Sequence, residues 1–236
     1  MMLECLKKAG LNARLDHDTY DRYAKEIYRL EDKWKDSLDL FNFNDLNYMS
    51  CGIDTRFIPC STNQDEYANI VYDHRECRIL KAGETLPSGY RTMADGGTIP
   101  CAISTLLDYF WQKIPVEEIG KILVQYNYRT PDKGTLWSAF ERILEPIYGI
   151  ETTIQSSIYE LFESVALGKP VVAMISPEIL YKSNTRSFSG NEAIIIWRFE
   201  HGRAIISTTH LYGCHKVNAE KLLKNLLRAW ACRLSK

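Results

Sequence analysis

Between Asp18 and Leu40 the apolar residues Tyr20, Tyr23, Ile27, Leu30, Trp34 and Leu38 recur at steps of three and four, with Lys, Asp and Glu between them. That period puts them on one stripe of an amphipathic helix over 18–40, with Asp16 and Asp18 as N-cap candidates. Phe41 to Asp65 is rich in Asn, Asp and Ser and has no period, so it reads as loop. Tyr67–Tyr72 and Arg75–Leu80 flank Asp73-His74 and predict a hairpin over 67–80. After Gly96 the elements lengthen. Ala102–Phe110 is apolar enough for a buried helix, and Val116, Ile119, Ile122 and Leu123 make a second. Leu136, Phe140, Ile143 and Leu144 make a third, opened by Gly134-Thr135. Ser157 and Glu160 have capping-box spacing ahead of a fourth, which Gly168 closes. Pro170–Ile175 is a buried strand, and Ala193–Phe199 and Ala204–Thr208 are two more across a tight turn at 200–203. A final helix capped by Asn218 is expected from Ala219 to Cys232, with Leu222, Leu223, Leu226, Leu227 and Trp230 inward. Helices first and antiparallel strands second make an α+β arrangement.

Composition narrows the function. The chain has 236 residues, 45% hydrophobic and 25% charged, with a formal net charge of −1, so no long-range field draws it to nucleic acid or an anionic membrane. The longest apolar runs, Val171–Ile175 and Ala193–Trp197, are strand-sized, and no membrane span is expected. Met1 to Lys8 shows no signal peptide. Seven cysteines form an odd set with no CxxC pair, and the histidines have no metal-ligand spacing, so neither a disulfide framework nor a metal site is expected. Reduced thiols in a cytoplasm account for them most simply. Gly96-Gly97 lacks the Lys-Ser/Thr of a phosphate loop. No cofactor is implied. The 14 tyrosines, several in the 18–40 helix, would suit a contact surface.

Five pieces in one order carry a family likeness. They are Thr98-Ile99-Pro100-Cys101-Ala102 with Leu106-Leu107-Asp108-Tyr109-Phe110, then Ile114-Pro115-Val116, then Gly134-Thr135-Leu136, then Leu167-Gly168-Lys169-Pro170-Val171-Val172, then Ala193 to Glu200. Together they resemble the papain-like, bacteriocin-processing double-glycine peptidases. The resemblance implies a papain-like peptidase-type domain over 90–236, a helical half packed on an antiparallel sheet, preceded by an extension over 1–89.

Where that family carries its chemistry, this chain departs. Thr98 stands at the nucleophilic cysteine, Glu192 at the histidine base, Thr208 at the orienting Asp or Asn, and Thr92 at the oxyanion-hole glutamine. A hydroxyl has no comparable thiolate form, and a carboxylate cannot take and return a proton near neutral pH as imidazole does. Thr98 is an N-cap candidate ahead of Pro100. Glu192 is either a solvated strand-edge residue or, in a sharper reading, a hydrogen-bond partner of Thr98 across the relic cleft or of a cationic group of a ligand. The expectation is therefore a pseudoenzyme with no catalytic residues, holding a peptide or protein partner, beside a peptide-maturation or secretion system. Two alternatives stand. Cys101, one helical turn on, could act as an exposed acidic thiol with His210 in a hydrolase or acyl/amide transferase. Or the protein is a structural or immunity-type interaction module working through its N-terminal region.

Overall fold

The computed structural model describes residues 30–176, 180 and 190–235. The helix expected over 18–40 falls within them from residue 30, and 30–40 is helical, with Trp34 and Ser37 buried; 18–29 lies outside the described residues. The strands, in chain order, are β1 (Ser50–Gly52), β2 (Ile70–Tyr72), β3 (Cys77–Ile79), β4 (Arg129–Thr130), β5 (Gly134–Thr135), β6 (Ile150–Ile154), β7 (Val171–Ile175), β8 (Glu192–Glu200), β9 (Arg203–Thr208), β10 (Cys214–Asn218) and β11 (Leu226–Leu234). One antiparallel sheet runs β10-β9-β8-β7-β11-β6. On the side of β8 away from β9, residues 192–196 pair with β7 and residues 198–200 with β1. The molecule is therefore a mixture of helices and an antiparallel sheet.

Both faces of the sheet are covered, which explains why its central strands are unbroken apolar runs rather than alternating ones. Val172, Met174, Ala193, Ile195 and Trp197 share one core with the helices Thr98–Tyr109 and Val116–Gln125. Val171, Ala173, Ile175, Ile194 and Ile196 share the other with Trp34 and the helices Ile158–Ala166 and Ala219–Lys224. Successive side chains alternate between the two cores as strand geometry requires. The register then shifts between Ile196 and Arg198, and Phe199 falls in the core of Ile196 rather than that of Trp197. A single bulge has inverted the parity. The β8–β9 turn is the expected tight one. His201 (φ 46°) and Gly202 (φ 75°) both sit in the left-handed region, as a two-residue hairpin twisting with its strands demands.

Four expectations from the sequence are corrected by the structure. The final helix ends at Lys224, and Leu226–Leu234 is a strand between β7 and β6. Asn218 does cap the helix, accepting from the Lys221 N–H, but Asn225 closes it by donating to the Lys221 carbonyl. The third helix is broken at Ile143 into Ala139–Arg142 and Leu144–Tyr148, and Gly134-Thr135 does not open it but pairs with β4. The hairpin strands are only β2 and β3, and Gln64–Tyr67 is a 3-10 turn. Phe41–Asp65 is more ordered than a loop. It contains β1 and 3-10 turns at Phe43–Tyr48 and Thr55–Phe57, and Asn42, Asp54 and Asn63 each accept an N–H two residues on. Such local bonds are why Asn and Asp crowd there. Ile53, Ile70, Tyr72 and Cys77 lie in the same core as the Thr98–Tyr109 helix.

Candidate functional site

The chain between two helices sets the site. Thr92 caps the short helix Met93–Gly96, its N–H and hydroxyl both donating to the Asp95 carboxylate (3.0 and 2.7 Å). Gly97 then caps the long helix, and Thr98 is that helix's first residue. This corrects the reading of Thr98 as an N-cap. Its hydroxyl oxygen instead accepts the Ala193 N–H at 2.8 Å, where β8 begins. It also hydrogen-bonds the Thr209 hydroxyl at 3.2 Å.

Thr209 is the hub. Its N–H donates to Glu192 Oε1 (3.4 Å), its hydroxyl to Gln64 Oε1 (3.4 Å), and its carbonyl accepts the Gln64 N–H (2.6 Å). Gln64 Nε2 donates to the Ala94 carbonyl at 2.8 Å, so that amide is engaged at both ends. Glu192 is 3% exposed, which excludes the solvated-edge reading. Thr98 and Glu192 thus come together as the sharper reading expected, but through Thr209 and the Ala193 backbone.

Gln64, Thr98 and Glu192 line a cleft of about 1020 Å³. Its lining also includes Asp65 and His210, and the cationic residues Arg91, Arg129 and Lys133 with Thr135. His210 Nδ1 lies 3.2 Å from Asp65 Oδ1. Thr208 and Thr92, both expected in the site, do not line it. The Thr208 hydroxyl is turned into the following bend, where it accepts the Leu211 N–H at 3.2 Å, and Thr92 is occupied as a cap. The residue after Thr208, Thr209, enters the hydrogen-bond net instead, though it does not line the cleft either. Gln64 and Asp65 were missed because they come from the aperiodic segment; the one local signal is Asn63, which caps their turn.

Cys101 is fully buried, and burial, with the Asp65 carboxylate adding to it, pushes its thiol well above the ordinary range. A thiolate nucleophile needs the reverse environment. The exposed, acidic Cys101 that the hydrolase alternative required is not present, and His210 is paired with Asp65. Among the described residues no cluster of His, Cys, Asp and Glu could hold a metal ion, and no helix is long and apolar enough to cross a membrane.

Burial sets the reactivity of the thiols. In the folded protein at pH 8, Cys101 stays unmodified by a maleimide, as do buried Cys77 and Cys232, each pushed up to about 12 by burial. Exposed Cys60 reacts. Intact-mass and peptide-mapping spectrometry check this, and rapid native labelling of Cys101 would restore it as a nucleophile.

No protein-family model and no curated protein matches this chain. Among solved structures it is similar to the crystal structure of the peptidase domain of Streptococcus ComA, a bi-functional ABC transporter involved in a quorum-sensing pathway. The TM-score is 0.44 at 12% identity, over 60% of this chain and 92% of that one. A likeness at that level assigns no chemistry to these residues.

Proposed function

We propose that the chain is a papain-like domain without a catalytic thiolate, which holds a peptide or a peptide segment of a partner protein in its cleft. One observation carries this. The junction of helix and sheet that borders the cleft is a hydrogen-bonded net of two hydroxyls, an amide and a carboxylate, while the thiol of the same helix is sealed in the core. Such a net fixes the walls but supplies no nucleophile. The cleft volume is in the range of binding sites that enclose a ligand. In this reading residues 90–236 carry the peptidase-like cleft, and Gln64 and Asp65 from 1–89 complete its wall. The proposed setting is the cytoplasm, for which the odd, unpaired set of cysteines speaks, beside peptide maturation or secretion, as the sequence resemblance implies.

A second reading is favoured by the His210–Asp65 pair, an imidazole held by a carboxylate at the cleft. It would serve as a general base if substrate brought the reacting group within reach. Incubation with a tryptic digest of denatured protein, then mass spectrometry, separates the two. The pseudoenzyme leaves the digest uncut and retains a subset of peptides saturably. Turnover that disappears in His210→Ala would establish the second reading and end the first.

A further inference from the structure

One cationic residue of the cleft lies in unusual surroundings. Arg129, in β4, lines the cleft but is only 5% exposed. Its Nη2 donates to the Tyr72 carbonyl at 3.2 Å, and its Nη1 has long contacts to the Gly96 carbonyl (3.4 Å) and the Thr135 hydroxyl (3.5 Å). The guanidinium lies 4.4 Å from the centroid of the Tyr72 ring. Among the described residues its Nε has no hydrogen-bond partner.

Among the described residues no carboxylate lies within ion-pairing distance of it. Asp73, which acts on it from further away, is held by Arg75 at 2.5 Å and His74 at 3.0 Å. A guanidinium cannot discharge itself by losing a proton. A buried cation normally has an anion beside it, because neutral acceptors do not offset its desolvation.

The surroundings are shaped for the guanidinium. A Cβ at Gly96 would lie 2.7 Å from Nη2, so only glycine lets the plane sit there. Exposed Arg91 also lines the cleft and adds positive charge, against Asp95, bound by Thr92, and exposed Asp132.

We infer that Arg129 anchors a carboxylate-binding subsite in this cleft, which rests on the peptide-binding reading and deepens it by giving the ligand an acidic group to seat there. The fork of a guanidinium matches the two oxygens of a carboxylate. In a peptide that group is either the C-terminus or an Asp or Glu side chain.

Three pools of fluorescent heptapeptides test it: neutral side chains with a free C-terminus, the same peptides amidated, and amidated peptides with one internal Asp or Glu. Fluorescence anisotropy is expected to show one acid-bearing pool binding about tenfold or more tighter than the neutral amides, the scale of a charge-assisted pair. The pool that gains identifies the source of the carboxylate. Arg129→Gln removes the gain, Arg129→Lys keeps less than half of it, and Gly96→Ala weakens it by displacing the plane. Circular dichroism confirms that each variant is folded.

A parallel thermal-melt series in sodium malonate against sodium chloride at equal ionic strength separates the two ideas. Equal binding of neutral and acidic pools overturns the subsite and leaves the cleft reading intact. No peptide binding, with malonate stabilising wild type but not Arg129→Gln, overturns the peptide reading and keeps the subsite. If no pool binds and malonate gives no stabilisation that depends on Arg129, the subsite is overturned outright.

Discussion

Trp230→Ala is expected to lower the unfolding free energy by about 4 kcal/mol, the cost of emptying a buried indole site. Trp230 is fully buried in β11, opposite Val172 on one neighbour and Ile154 on the other. Its ring packs on Phe140 at 5.0 Å, and its Nε1 donates to the Glu141 carboxylate at 2.6 Å. Truncation removes the apolar area, leaves a void between sheet and helix, and takes away that donor together. Leu227→Ala, on the same strand but 38% exposed, should cost about 1 kcal/mol or less. The contrast decides between the helix that the sequence pattern favours and the strand observed, because a helix through 232 turns both side chains inward. Urea denaturation with an unchanged slope and a shifted midpoint is the measurement. Similar losses for the two variants would return this segment to a helix.

That segment also shows where sequence reading stops. Ser157, Gly168 and Asn218 mark helix ends through bonds made within four residues, and each does so in the structure; Ser157 accepts the Glu160 N–H, and Gly168 takes φ +73°. Local chemistry is legible because its partners are neighbours in the chain. Past Asn225 nothing local distinguishes an inward helix stripe from a strand buried on both faces, since such a strand has no alternation to read. Only its pairing with β7 and β6, far away in the chain, makes it a strand.

The site divides the same way. Thr98, Glu192 and His210 were legible as chemistry-bearing residues at element ends, and the structure brings all three to one cleft. The departures come from register and distance. The strand ending at Thr208 does place a threonine in the net, but it is Thr209, one residue later; at a strand end a slip of one residue exchanges faces. Gln64 and Asp65 reach the site from 145 residues away in sequence, a contact no spacing rule contains. Arg129 carried no motif at all, because what marks it is that no carboxylate among the described residues pairs with it, visible only once the chain is folded.

Gly97→Ala should destabilise the protein by about 1–3 kcal/mol, the range for forcing an added methyl into packed surroundings, and should disturb the cleft with it. An added Cβ would lie 2.5 Å from the Met93 carbonyl oxygen, the same oxygen that accepts the Gly97 N–H at 2.8 Å. The Met93 side chain and the Met93 carbonyl oxygen are both in the way, and the backbone oxygen cannot swing aside as a side chain can, so the turn between the two helices must open. Met93 is fully buried beneath it and gives little room. Thr98 is the next residue, so its 2.8 Å bond to the Ala193 N–H lengthens as the turn moves. In a chain of this size the loss corresponds to a melting temperature lower by about 2–12 °C. Thr98→Ser, which keeps the hydroxyl and the turn, should leave both the melting temperature and the exchange of the Ala193 amide near wild type. Hydrogen exchange reads the difference directly: Ala193 should lose protection in Gly97→Ala and retain it in Thr98→Ser. If Gly97→Ala melts with wild type and Ala193 stays protected, the glycine is not what seats the helix on the sheet, and the hydroxyl net is held by some other contact.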